Sequence, residues 1–233
     1  MKLASTPGLA YALRCLNVDK VDGMAYQFGP ALREKLISNL AGFERTCLQN
    51  AELRTAAVNL VITQHSSKDQ ACILLTRRPA TMRRHAGQFA LPGGRLDDGE
   101  TLQQAALREL HEEMGVELSE DHIIGQLDDY PTRSGFAITP FVVWGGAPLD
   151  IVPDPEEVAR VFEIPFDELD GPEIPYLEPQ DDHEHPILSA PLATIGDRVF
   201  APTAAMLYQF REVAMNGRAT RVAHFDQPHF ARR

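Results

Sequence analysis

Glu109, Glu112 and Glu113 lie within five residues of one another in the stretch GRLDDGETLQQAALRELHEEMGV, which runs from Gly94 to Val116. On a helix, like charges four residues apart repel and cost a few tenths of a kcal/mol, and exposed helix faces usually interleave the two signs instead. Hard carboxylate oxygens grouped on one rigid face suit Mg²⁺ or Mn²⁺, ions that keep several waters and bridge to substrate phosphates. A solvated helix face is the plainer reading, and spacing alone leaves both open.

The elements around these glutamates are legible. Thr101 and Gln104 fit a capping box and Gly115 fits a helix stop. At about 100° per residue, Leu107, Leu110 and Met114 fall on one stripe, with the glutamates on a separate edge roughly 140° away. That arrangement anchors the helix to a sheet and presents three carboxylates outward. Ala105 and Ala106 leave the acidic edge uncrowded, and Arg108 is placed to pair with a carboxylate and hold the array.

The same segment fits G-x5-E-x7-R-E-U-x-E-E-x-G-U, with U aliphatic, at Gly94, Glu100, Arg108, Glu109, Leu110, Glu112, Glu113, Gly115 and Val116. The two glycines and five charges match by chance at on the order of 10⁻⁸ per start position. The pattern resembles the signature of the Nudix hydrolases. That resemblance implies an α+β fold, an α/β/α sandwich with a mixed central β-sheet, and cleavage of a nucleoside diphosphate linked to another moiety. It implies a Mg²⁺ or Mn²⁺ cofactor with Glu109, Glu112, Glu113 and Gly94 as the metal site. By the same resemblance Glu109 and Glu113 are the principal ligands, and Glu112 is a ligand or the water-activating base. Arg108 orients a glutamate, and Gly93–Gly94 form the turn that lets backbone approach metal and phosphates. Glu112, Arg108 and Glu109 are thus the expected catalytic residues.

A basic segment precedes the acidic helix. Arg77, Arg78, Arg83, Arg84 and His85 place five basic side chains in nine residues, leading into Gly87 and the turn at Pro92–Gly93–Gly94. Such a cluster fits phosphate groups beyond a scissile pair, although scattered arginines also serve solubility on a strand edge. This stretch resembles the coenzyme A pyrophosphatase branch of the family, L-L-T-x-R-[SA]-x3-R-x3-G-x3-F-P-G-G. Leu74, Leu75, Thr76, Arg78, Arg83, Gly87, Pro92, Gly93 and Gly94 match, while Pro79 replaces Ser or Ala and Leu91 replaces Phe. TRSGFAITPFV (132–142) and EEVARVFEIPFDEL (156–169) are similar to that branch too.

The branch resemblance implies hydrolysis of coenzyme A or an acyl derivative to 4′-phosphopantetheine and adenosine 3′,5′-bisphosphate. It makes Arg78, Arg83, Arg84, His85, Gly87, Gly93, Ser134, Gly135 and Phe136 the expected substrate-binding residues. ADP-ribose or NADH is the alternative substrate. A non-catalytic binding module is the alternative class, against which the intact set of three helix glutamates argues. Glu156 and Glu157, read as the start of a strand VARVFEIP, are candidates for an additional acid, or simply solvated strand-start acids. His183, His185, Asp181 and Asp182 read as a polar surface loop, and Trp144 as core or interface.

Composition sets the outer bounds. With 233 residues, 44% of them hydrophobic and 24% charged, the chain is an ordinary globule long enough to bury a core. A net charge of −11 argues against a general nucleic-acid binder, which needs a basic footprint. No apolar run approaches the roughly 20 residues of a membrane span, so no membrane partner is expected. Cys15, Cys47 and Cys72 are odd in number and widely spaced, which reads as reduced thiols in a cytoplasmic protein. No secretory signal is read, although the acid-poor stretch before Asp19 leaves an organelle transit peptide open.

The expected organisation is a single domain, with a catalytic core over about 54–217, an N-terminal helical extension before it and a tail over 218–233. Leu32, Leu36 and Leu40 predict a helix within about Gly29 to Asn50. Residues 56–63 and 71–78 predict a hairpin, and 123–130, 136–145 and 158–165 further strands. The run 177–186 predicts a loop, and 201–217 a terminal helix opened near Pro202 and closed at Gly217. The N-terminal helix or the tail VAHFDQPHFARR could also mediate a homodimer.

Overall fold

The computed structural model describes residues 26–82, 85–147, 149–179 and 185–228. Arg83, Arg84, Asp181, Asp182, His183 and Cys15 lie outside the described residues. In chain order the elements are α1 (Pro30–Ala41), β1 (Arg54–Gln64), β2 (Ala71–Arg77), β3 (Phe89–Ala90), β4 (Gly93–Arg95) and α2 (Leu102–Met114). A single 3₁₀ turn then leads to β5 (Ile123–Gln126), β6 (Tyr130–Pro131), β7 (Phe136–Gly146), β8 (Arg160–Pro165) and α3 (Phe166–Leu169). The chain continues through β9 (Tyr176–Glu178), β10 (Ile187–Leu192), β11 (Asp197–Phe200) and α4 (Thr203–Phe210), which passes into a π-helical stretch, Arg211–Met215.

Eight strands form the mixed central sheet, with β3-β2-β1-β7-β5 as its main path. β4 also pairs with β1, β6 with β7 and β8 with β2. β1 and β7 run parallel over Arg54↔Phe136 to Thr63↔Gly146, and the other pairs are antiparallel. β1 explains the layering. It is buried without a break from Ala56 to Thr63, as expected for a strand covered on both faces. Ala57 packs with Ala105, Ala106, Phe141 and Val143, and Val61 packs with Leu74, Leu110 and Met114. Their alternates Val58, Leu60 and Ile62 join the larger core with Leu36, Leu40, Phe210 and Met215. Helix α2 therefore covers one face of the sheet, and α1 and α4 cover the other. The result is an α/β/α sandwich with an N-terminal and a C-terminal helix.

Several expected boundaries move for local reasons. Helix α1 stops at Ala41 rather than continuing toward Asn50, because Gly42 caps it and Arg45, Thr46 and Leu48 bond instead to Leu127, Asp128 and Asp129 between β5 and β6. Leu32, Leu36 and Leu40 are its buried face, each contributing on the order of 2 kcal/mol. The turn at Pro92–Gly93–Gly94 runs directly into a strand, since Gly93–Arg95 pair with Val58, Ala57 and Ala56. The stretch 123–130 divides at a buried pair, Asp128 and Asp129, whose carboxylates bond outside the ladder. Within 177–186, Leu177 and Glu178 belong to β9 of a second, three-stranded sheet. The terminal helix is α-helical only from Thr203 to Phe210. No helix among the described residues is long and apolar enough to cross a membrane.

Candidate active site

Helix α2 begins where expected, with the Thr101 side chain accepting from Gln104 N–H in a complete capping box. It ends at Gly115, in the left-handed conformation that only glycine adopts cheaply. Its buried residues are Ala105, Ala106, Leu110, Glu113 and Met114, with Leu107 only partly buried. The three glutamates therefore do not share one outward edge. At about 100° per residue, Glu113 lies only about 60° from Leu110, at the border of the packed face, and Glu112 about 160° from it. Glu113 is 2% exposed, while the Glu112 side chain is 55% exposed and that of Glu109 17%.

Burying Glu113 demands compensation, and the glycine turn supplies part of it. Gly93 N–H donates to Glu113 Oε2 at 3.0 Å, and Arg78 Nη1 lies 3.4 Å from Oε1. Burial still pushes the Glu113 carboxyl up to about 7, with the charges of Glu109 and Glu157 adding to the rise. The glycine at 94 has a steric cause. A Cβ there would sit 2.2 Å from Glu109 Oε1, so any larger residue would expel that carboxylate from the strand. A Cβ on Gly93 would lie 2.3 Å from Ala57 O, and its φ of +149° independently favours glycine. The Glu109 carboxyl is also raised by burial, against the pull of Arg108.

Arg108 organises the remaining acids. Its Nε donates to Glu100 Oε1 at 2.7 Å and its Nη2 to Glu100 Oε2 at 3.1 Å. Nη1 reaches Glu109 Oε1 at 3.0 Å and Glu112 Oε2 at 2.9 Å, and Nη2 also reaches Arg95 O at 3.1 Å. The Arg108 guanidinium holds the half-buried Glu100 carboxyl below the usual range. Among the described residues no three His, Cys, Asp or Glu side chains converge as a ready ligand set. Glu109 and Glu112 are gripped by Arg108, and Glu113 is turned onto Gly93 N–H and Arg78.

The other expected residues scatter. Glu156 and Glu157 lie in a turn before β8, not at its start, because Val152 N–H and Asp154 N–H bond to Met114 O and Glu113 O and bend the chain over the end of α2. Glu157 consequently faces Glu109 and Glu113 electrostatically, while Glu156 is exposed. Arg78 reaches Glu113, and its buried Nε has no hydrogen-bond partner. Arg77 stacks instead on Phe89, 5.6 Å from the ring centroid. His85 Nδ1 contacts Gln88 Oε1 at 3.0 Å, and Gly87 takes a positive φ of +69°.

Ser134, Gly135 and Phe136 form a tight corner into β7. Gly135 N–H and Phe136 N–H bond to Thr132 O and Oγ1 at 3.0 and 2.9 Å, and Gly135 has a φ of +82°. Trp144 packs against Phe28, with ring centroids 4.4 Å apart. Arg54 and Arg95, which sequence reasoning missed, both lie over the Phe136 ring. Their proximity depends on strand pairing, which gives no local sequence signal.

Residues 53–188 match the model of the NUDIX domain, more than half of the chain, and the protein belongs to the Nudix family. Among curated relatives it is similar to the uncharacterized Nudix hydrolase NudL of Yersinia pestis (strain Pestoides F), 40% identical over 120 residues. The same identity and length hold for NudL of Yersinia pseudotuberculosis serotype O:3 (strain YPIII). In each case the match covers 51% of this chain and 59% of the relative, so the chain spans under two thirds of the length of the curated relatives it matches. Among solved structures it is similar to a MutT/nudix family protein from Enterococcus faecalis at 17% identity and a TM-score of 0.47, covering 80% of this chain and 75% of that one. The MutT protein of Methanosarcina mazei Go1 matches at 22% identity and a TM-score of 0.40, over 55% of this chain and 83% of that one.

Proposed function

We propose that the protein is a divalent-metal-dependent diphosphatase that hydrolyses coenzyme A or an acyl-coenzyme A to 4′-phosphopantetheine and adenosine 3′,5′-bisphosphate. The observation that carries this reading is the buried Glu113 carboxylate, held by Gly93 N–H next to Gly94 and Glu109. A carboxyl pushed up to about 7 by burial is poorly matched to an arginine 3.4 Å away and well matched to a cation of higher charge. The donor set is all oxygen, the type that Mg²⁺ and Mn²⁺ prefer, so these residues fit such an ion.

Glu109, Glu113 and the Gly94 backbone would hold the ion, with Glu112 and Glu157 close enough in charge to contribute. Bound there, a divalent cation supplies charge neutralisation and an acidified water. The chain's own residues supply the rest. Arg108 holds one oxygen of Glu112, leaving the other to accept a proton as water oxygen bonds to phosphorus and the bridging P–O bond breaks. Arg78, with its unspent Nε donor inside the site, is suited to a phosphate oxygen. The basic segment around it supports a substrate with phosphate beyond the scissile pair.

The test is to incubate purified protein and Mg²⁺ with coenzyme A, ADP-ribose and NADH and to follow the products. Appearance of 4′-phosphopantetheine is expected. Turnover of ADP-ribose without coenzyme A cleavage would remove the substrate assignment, and binding without turnover of any of the three would favour a binding module. Undiminished hydrolysis by Glu112→Gln would dismiss the proton-accepting role.

A further inference from the structure

The structure assigns a second anion subsite to Arg54 and Arg95 over the Phe136 ring, built to take a phosphate monoester set apart from the scissile diphosphate. The Arg54 guanidinium carbon lies 4.0 Å from the Phe136 ring centroid and that of Arg95 lies 5.4 Å from it. Both arginines are exposed, and neither makes an ion pair among the described residues. Two guanidiniums gathered over one ring without a carboxylate leave local positive charge uncompensated, although in a chain of net charge −11 acidic partners are plentiful. Arg133 in the neighbouring loop does have one, pairing with Asp226.

The pair is held, not loose. Arg54 Nη2 donates to Ser134 O at 3.1 Å, and the corner that carries Phe136 is pinned by Thr132. A guanidinium held over a ring still carries N–H donors along its edge, the fork that matches a phosphate. β4 connects this pair to the chemistry. Gly94 abuts Glu109, and Arg95 is the next residue on the same strand, its backbone oxygen bonded to Arg108. Side chains alternate along a strand, so Arg95 projects to the face opposite α2, where Phe136 and Arg54 lie in register across β1 and β7. Gly94 and Arg95 face opposite sides of β4, which pairs only with β1 among the described strands, so a nucleotide whose diphosphate lies against Gly94 would reach the fork around the outer edge of that strand. A ribose phosphate is the group such a fork would hold.

This inference rests on the proposed reading of the site as one for nucleoside diphosphates, and its test does not require turnover. Adenosine 3′,5′-bisphosphate and AMP, which differ in a single phosphate, are titrated calorimetrically into the wild type, Arg54→Gln and Arg95→Gln. The wild type should bind the bisphosphate about tenfold or more tightly than AMP. Each variant should bring the two ligands to within about threefold while leaving AMP unchanged, and circular dichroism melting verifies that both fold. Equal affinity in the wild type, or a preference kept by the Arg54→Gln/Arg95→Gln double variant, overturns the subsite. Coenzyme A cleavage with equal affinities would sink the subsite alone, whereas loss of all diphosphatase activity would sink the reading of the site.

Discussion

Arg108 Nε bonds Glu100 Oε1 at 2.7 Å while its Nη1 bonds Glu109 Oε1 at 3.0 Å, so one guanidinium ties the loop before α2 to an acid on it. On the proposed reading Glu109 is a metal ligand, and loss of a side chain that orients such a ligand changes metal affinity and activity by about 10–100-fold. Arg108→Gln should therefore lower activity within that range and raise the metal concentration required, and Glu100→Gln should do so more weakly. Arg108→Lys should restore little, because an ammonium cannot serve two carboxylates through a planar fork. Metal-dependence curves for the three variants provide the check.

Glu113 and Glu109 should couple a divalent ion to stability. A ligand that binds only the folded state at 100 times its Kd adds about 2.7 kcal/mol. Calorimetric melting with and without Mg²⁺ should show a clear upward shift for the wild type and for Glu112→Gln. The shift should be largely lost in Glu113→Gln and Glu109→Gln. A Glu113→Gln protein stabilised by Mg²⁺ as strongly as the wild type would contradict the ligand assignment.

Asp129 is 8% exposed and accepts from Arg45 Nη2 at 2.5 Å, Thr139 Oγ1 at 2.7 Å and Leu48 N–H at 2.8 Å. It fastens the segment after α1 to the sheet. Asp129→Ala leaves a partly buried guanidinium, a hydroxyl and an amide without their acceptor, and should cost about 3 kcal/mol in urea unfolding. Arg221→Ala should cost less, since Asp128 keeps the amides of Gln209 and Thr46.

Cys72 is fully buried, and burial pushes its thiol up to about 12, with Glu163 adding to the rise. The folded state therefore keeps its proton where the unfolded thiol, near 9, loses it. This contribution to stability is intact below the unfolded value and is lost as pH rises toward about 12. Between pH ~8 and ~10 the wild type should lose about 1.5 kcal/mol more stability than Cys72→Ala. In a Cys15→Ser background, a thiol reagent should label the exposed Cys47 under native conditions and reach Cys72 only on unfolding.

Much of the core was readable from local pattern. The capping box at Thr101, the stop at Gly115, the β1–β2 hairpin and the apolar register of α1 depend on neighbours within a few residues. The parallel pairing of β1 with β7 was not readable, because no turn joins the two strands. The strands β10 and β11 were also missed, for their short runs are interrupted by Pro191 and by the polar turn between them.

The residues of the acidic helix, their order and their spacing are properties of the chain alone, and so is the family they announce. Only the folded molecule determined that Glu113 is buried on the glycine turn, that Glu112 faces water, and that Glu157 approaches from a loop 44 residues beyond Glu113. It also brought Arg54 and Arg95 onto Phe136. The physical reason is one of range. Helical periodicity and capping are local, whereas desolvation and the meeting of charges depend on which distant strands pair and what they cover.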